Sequence, residues 1–100
     1  MENIFAYGTL NESTVQRMVW GRLISGKPDV LVNHGLSRIK IDGREYLVAV
    51  PKDEEMLAGQ VLEVTADELA LIDRYETVAY RRKLVSLKSG VKAWVYLSNE

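Results

Sequence analysis

"TADELALIDRYE", residues 65–76, decides how the rest of the chain is read. Thr65 followed three residues later by Glu68 is a capping box, in which each side chain takes the other residue's free amide. At 100° per residue, Leu71, Tyr75, Ile72, Glu76 and Leu69 fall in one continuous sector, in that angular order. The spacing predicts a helix. It stands late in the chain, with strand-like segments on both sides. Before it, "LAGQVLEV" (57–64) reads as a strand. After it, "RRKLVSL" (81–87) and "KAWVYL" (92–97) read as a hairpin joined through the polar turn Lys88-Ser89-Gly90-Val91.

Further upstream, "REYLVAVP" (44–51) is a strand expected to stop at Pro51, and "KDEEM" (52–56) a solvated loop. "KPDVLVNHGLSRIKIDG" (27–43) has mixed alternation, with a bend at Asn33-His34-Gly35 and a turn at Asp42-Gly43. Residues 11–22 form a first helix: Asn11 or Ser13 caps it, Val15, Met18 and Val19 make its apolar stripe, and Gly21 ends it. Ile4, Phe5 and Tyr7 start the chain as a strand that Gly8-Thr9 interrupts. The order is strand, helix, several strands, helix, two strands. The crossovers of a parallel sheet are missing, so the class is α+β: a small mixed β-barrel or curled sheet of about six strands with two short helices. A length of 100 residues implies a single domain over 1–100.

Composition excludes several chemistries. There is no cysteine, which removes disulfides, thiolate metal sites and cysteine nucleophiles. A single histidine, His34, argues against a zinc site. Thirteen basic residues against fourteen acidic leave a formal charge of −1, no footprint for nucleic acid. No signal peptide or apolar run of membrane-spanning length is visible, so the expected location is the cytoplasm and no membrane partner is expected.

One residue breaks the pattern. Glu76 lies in the apolar sector of its helix, at the C-terminal end where the dipole disfavours an anion. Desolvation and the dipole would both raise its pKa into the range of a proton shuttle. The plainer reading is an ion pair with Arg74, Arg81 or Arg82. Gly8-Thr9 likewise reads two ways, as a bend before the first helix or as a nest of amide N–H groups for an anion. Tyr7 and Tyr80 read first as core aromatics, His34 as a turn residue, Arg17 and Arg22 as solvation of the first helix, and Trp20 and Trp94 as packing anchors.

"FAYGTL", "STVQRMVWGR", "GQVLEV", "LIDRYE", "YRRKLV" and "AWVYL" follow one another in an order that resembles the gamma-glutamyl cyclotransferase-like family. Its members share a Tyr-Gly-Ser/Thr loop and a Leu-Asp-x-x-Glu-Gly segment. The resemblance implies a compact mixed α/β barrel-like fold with a cavity beside the N-terminal loop. It implies a metal-independent enzyme, without cofactor, that cleaves a gamma-glutamyl amide to 5-oxoproline and a free amine. Glu76 is then the catalytic acid/base, and Tyr7, Gly8, Thr9 and Leu10 bind the glutamyl end of a small-molecule substrate, with Tyr80 orienting substrate or carboxylate. Two departures stand out: Thr77 follows Glu76 where the family has Gly, and little chain separates the first helix from the next strands. They favour an alternative, a non-catalytic binding protein for an amino-acid-like ligand on the same scaffold.

Overall fold

The computed structural model describes residues 1–77 and 79–98, the side chain of Ile41 excepted. The chain runs β1 (Glu2–Ala6), a 3-10 turn (Thr9–Asn11), α1 (Ser13–Trp20), β2 (Lys27–Ile41), β3 (Arg44–Val64), α2 (Ala66–Glu76), β4 (Tyr80–Ser86) and β5 (Lys92–Ser98). Five strands form one sheet in the order β2-β3-β1-β5-β4. β1 lies at its centre, antiparallel to the end of β3 (Ile4 opposite Leu62) and parallel to β5 (Ile4 opposite Trp94).

The sheet curls because β3 is long enough to serve two neighbours. Its last residues pair with β1, while Ala49, near its start, meets Leu97 of β5 in parallel. Along β1, side chains alternate between two apolar clusters. Ile4 and Ala6 join Leu62, Val64, Leu69 and Ile72, with Val15 and Val19 of α1 packed against them. Phe5 faces the other way, to Leu31, Leu57, Val95 and Leu97. Gly59 lets β1 and β3 close up: a Cβ there would sit 2.6 Å from the Phe5 ring and 2.7 Å from the Ala6 carbonyl oxygen.

The sequence reading of six strands becomes five because Pro51 does not end its strand. Residue 51 lies opposite His34, next to the register shift between Val32 and His34, where a missing N–H costs the ladder little. Residues 52–55 are outside the ladder register with β2 and are exposed, so the expected solvated loop is a wide bulge within β3. Asn33 carries the matching kink, with φ 58°, and its side-chain oxygen accepts the Glu54 amide at 3.2 Å. The turn at Asp42-Gly43 has both residues at positive φ (50° and 79°), the geometry of a two-residue hairpin turn.

Both predicted helices form. Thr65 and Glu68 make the reciprocal capping box, and Gly21 ends α1 at φ 83°. Neither Asn11 nor Ser13 caps α1: Glu12 occupies the cap position without a side-chain bond. Asn11 instead donates to the Ala6 carbonyl at 2.8 Å, folding the loop after β1. Met18 and Leu71 lie outside the core, although their helical spacing suggested burial. The buried polar residue of α1 is Gln16. Its Nε2 donates to the Leu10 carbonyl and its Oε1 accepts the Ile24 amide, so it ties the loop to the chain beyond α1. Among the described residues no helix is long and apolar enough to cross a membrane.

Candidate active site

Where β1 gives way to the 3-10 turn, the chain lines a cavity of about 480 Å³. Its walls are residues 7–10, the end of α2 with Tyr75, Glu76 and Thr77, the start of β3 from Arg44 to Leu47, and Tyr80 and Tyr96. All six residues singled out in the sequence, Tyr7, Gly8, Thr9, Leu10, Glu76 and Tyr80, border it.

Gly8 lies at φ −138°, ψ −134°, outside the left-handed region. A Cβ built on it meets no atom within 4 Å, so contacts at that position do not demand glycine. Glycine keeps that space empty. The turn that follows starts with amides that a helix cannot satisfy by itself. Asn11 and Glu12 donate to the Gly8 and Thr9 carbonyls, but the N–H groups of Gly8, Thr9 and Leu10 have no acceptor among the described residues. Leu10 is a core residue by its side chain, so only its backbone is available to a site. Thr9 Oγ1 and the Tyr75 hydroxyl lie 3.0 Å apart, joining the loop to α2.

Glu76 is half-buried and has no hydrogen-bond or ion-pair partner among the described residues. Burial pushes its carboxyl up to about 7. The ion pair considered from sequence is not made: Arg82 turns instead to Asp73, Nε to Oδ1 at 2.9 Å, and stacks over Trp94 at 4.3 Å. Asp73 also accepts the Tyr96 hydroxyl at 2.6 Å. Burial pushes Asp73 up, but the bonds from Arg82 and Tyr96 outweigh it and hold its carboxyl below the usual range. Burial raises Tyr7 to about 12; donation from the Ala49 amide opposes this and the nearby Glu76 charge adds to it. The Tyr80 hydroxyl is raised by burial and by the charge of Glu76, and donates to the Leu47 carbonyl at 3.3 Å.

The Tyr7 hydroxyl is committed to the fold. It donates to the Tyr96 carbonyl at 2.7 Å and accepts the Ala49 amide at 3.1 Å. Thr77 closes α2 at φ 62°, ψ −172°, a conformation that belongs almost entirely to glycine. Its amide still bonds the Asp73 carbonyl at 3.2 Å. The sequence reading missed Tyr96, Tyr75 and residues 44–47. Tyr75 shares the helical sector of Glu76 and was within reach of that argument. The start of β3 reaches the cavity only through the curl of the sheet, which leaves no local signal.

A curled sheet carrying two helices on one face, with a half-buried carboxyl that has no partner among the described residues beside a tight loop, defines a mixed α+β class of the cyclotransferase-like fold. The model of the family described as gamma-glutamyl cyclotransferase, AIG2-like, matches residues 4–100, and the chain belongs to that family. Two Arabidopsis thaliana proteins are similar in sequence. AIG2-like protein D is 32% identical over 88 residues, 87% of this chain and 57% of that protein. AIG2-like protein C is 34% identical over 86 residues, 85% of this chain and 49% of that protein. The chain thus spans about half the length of these relatives. A solution structure of an Arabidopsis thaliana protein superimposes with a TM-score of 0.78 at 28% identity, covering 97% of this chain and 61% of that one. An uncharacterised Pyrococcus horikoshii protein shares the fold at 22% identity, with a TM-score of 0.67, covering 100% of this chain and 80% of that one.

Proposed function

We propose that this chain is a gamma-glutamyl cyclotransferase-type enzyme that converts a gamma-glutamyl amide to 5-oxoproline and a free amine. The observation that carries the reading is Glu76: a carboxyl without a partner among the described residues, raised to about 7 by burial, on the same cavity as three amides that no described residue claims.

The reaction needs positioning and two proton transfers, which one carboxyl can relay in turn. The substrate's α-carboxylate takes the N–H groups of Gly8, Thr9 and Leu10. Glu76 accepts a proton from the α-ammonium, and the freed amine attacks the γ-carbonyl carbon. A C–N bond closes the five-membered ring, Glu76 passes the first proton to the departing nitrogen as its bond to carbon breaks, then takes the second proton that the ring nitrogen sheds and hands it to the free amine, which leaves as its ammonium. Atoms balance without water or a redox partner. Ring closure within one molecule is favoured once the chain is held folded. A carboxyl near 7 suits both halves, since it is neither too weak a base to take the proton nor too weak an acid to return it. Tyr7 and Tyr80 serve as walls, their hydroxyls turned to backbone carbonyls.

Gly8→Val tests the loop separately from the carboxyl. A Cβ at this position meets no atom within 4 Å. The variant is expected to melt close to wild type while KM for a gamma-glutamyl substrate rises, because the side chain occupies the approach to the amides. An unchanged KM in a folded Gly8→Val protein removes the loop from the site. Binding without any turnover selects the non-catalytic alternative, a holder of amino-acid-like ligands.

A further inference from the structure

Five tyrosines border the cavity that holds Glu76. A phenol has one proton to give, and an ionised carboxyl among several phenols is a natural acceptor for them. Glu76 receives none from the described residues. Tyr7 donates to the Tyr96 carbonyl and Tyr80 to the Leu47 carbonyl. Tyr75 shares its bond with Thr9. Tyr46 is exposed at the start of β3, where Arg44 is also exposed and Glu45 is engaged by Arg38 at 3.3 Å. Tyr96 gives its proton to Asp73 at 2.6 Å.

The last bond differs from the others. Its acceptor is a side-chain carboxylate, three residues before Glu76 on α2. Arg82 donates to the same oxygen, Oδ1, at 2.9 Å. Against burial, these two bonds hold Asp73 ionised. An ionised carboxylate can only accept, so the Tyr96 proton points to Asp73, which is not among the described residues lining the cavity. The Tyr96 oxygen is left with lone pairs, which a neutral Glu76 can use and an ionised one cannot. The two groups feel each other: burial, then the bond and charge of Asp73, raise the Tyr96 phenol against the opposing Arg82, and the charge of Glu76 adds to the rise. We infer that Asp73 is a positioning residue for Glu76: anchored by Arg82, it holds the Tyr96 proton and so keeps Glu76 free of that donor. The bond pattern stands by itself, and its consequence for turnover rests on the cyclotransferase reading. A donor on Glu76 would favour the ionised form and weaken it as the base that takes the substrate's proton.

The test follows Glu76 directly, by carbon NMR titration of the full chain labelled at the glutamate carboxyl carbon. Its signal is identified by its loss in Glu76→Gln. Asp73→Ala takes away the acceptor, so Tyr96 turns to Glu76 and the midpoint is expected to fall from about 7 by about one pH unit or more. Adding Tyr96→Phe should restore it, and Asp73→Asn, whose amide oxygen still accepts, should lose less. No fall in Asp73→Ala overturns the inference. So does an equal fall with Tyr96→Phe present, which would mean that the helix end loosens and admits water, or that the freed Arg82 reaches Glu76. Should Asp73→Ala not fold, Tyr96→Phe alone decides: the midpoint should not rise, and a rise of about one unit would show that Tyr96 already donates to Glu76. The acid limb of kcat/KM for gamma-glutamyl-leucine is recorded on the same proteins and should move with the midpoint. A midpoint that moves while the limb stays fixed, or while the wild type releases no 5-oxoproline, leaves the positioning standing and overturns the catalytic reading.

Discussion

Glu76 and Thr77 pull on stability in ways that single substitutions separate. Burial lifts the Glu76 carboxyl to about 7, above its ordinary 4.5. The folded state therefore resists the ionised form. The penalty is absent below about pH 4.5, grows as pH rises toward 7, and is complete above it. Glu76→Gln removes a penalty on the order of 2 kcal/mol. Urea melts should find the variant more stable than wild type at pH 8, with the gap closing by pH 4. A variant less stable at pH 8 would reveal an ionic partner for Glu76 and contradict its isolation. Thr77 carries a strain of about 1–3 kcal/mol at its positive φ. Thr77→Gly loses part of the gain through a freer unfolded chain, about 0.4–1 kcal/mol. A net stabilisation of ~1 kcal/mol is expected in the same melts, and a destabilised glycine variant would show that the strain is not there.

At the scale of elements, α2 is pinned at both ends. Glu68 closes the capping box with Thr65 and takes Arg22 through both carboxylate oxygens, at 2.7 and 2.8 Å. The Arg22 bonds draw its carboxyl down to about 2 despite some desolvation. Its sign is opposite to that of Glu76: the stability it gives is present above about pH 4.5 and is lost as pH falls toward 2. Thr65→Ala should cost ~1 kcal/mol by thermal unfolding, and a neutral substitution would show that the box is ornamental. At the other end Asp73 holds Arg82 and Tyr96. This helix was legible in the sequence because its signals are local: a box of three-residue spacing and a turn-by-turn apolar face. Residue 76 stood out for the same reason. The Asn11 cap was misread because a local acceptor outside the helix, the Ala6 carbonyl, takes its side chain. Pro51 misled for a related reason, since a ladder already broken by a bulge tolerates a residue without an N–H.

For the whole molecule, what the local pattern could not show is closure. Among the described residues, β3 pairs with β5 in parallel at Ala49 with Leu97. Tyr7 bridges the same place, from the Tyr96 carbonyl to the Ala49 amide. These contacts join residues more than forty positions apart, so no window of sequence contains them. They also bring residues 44–47 to the loop after β1 and so complete the cavity. Tyr7→Phe should leave the buried Ala49 amide without its acceptor and cost ~1–3 kcal/mol in denaturant melts. A cost near zero would mean that the curl holds without this clamp. The central claim is that the curl, the loop and α2 meet to let one carboxyl relay the protons of ring closure. The most direct measurement is kcat for 5-oxoproline release from gamma-glutamyl-leucine by wild type and Glu76→Gln. The account predicts a loss of ~10²–10⁴ in kcat with ligand binding retained. Wild-type kcat in Glu76→Gln would contradict it.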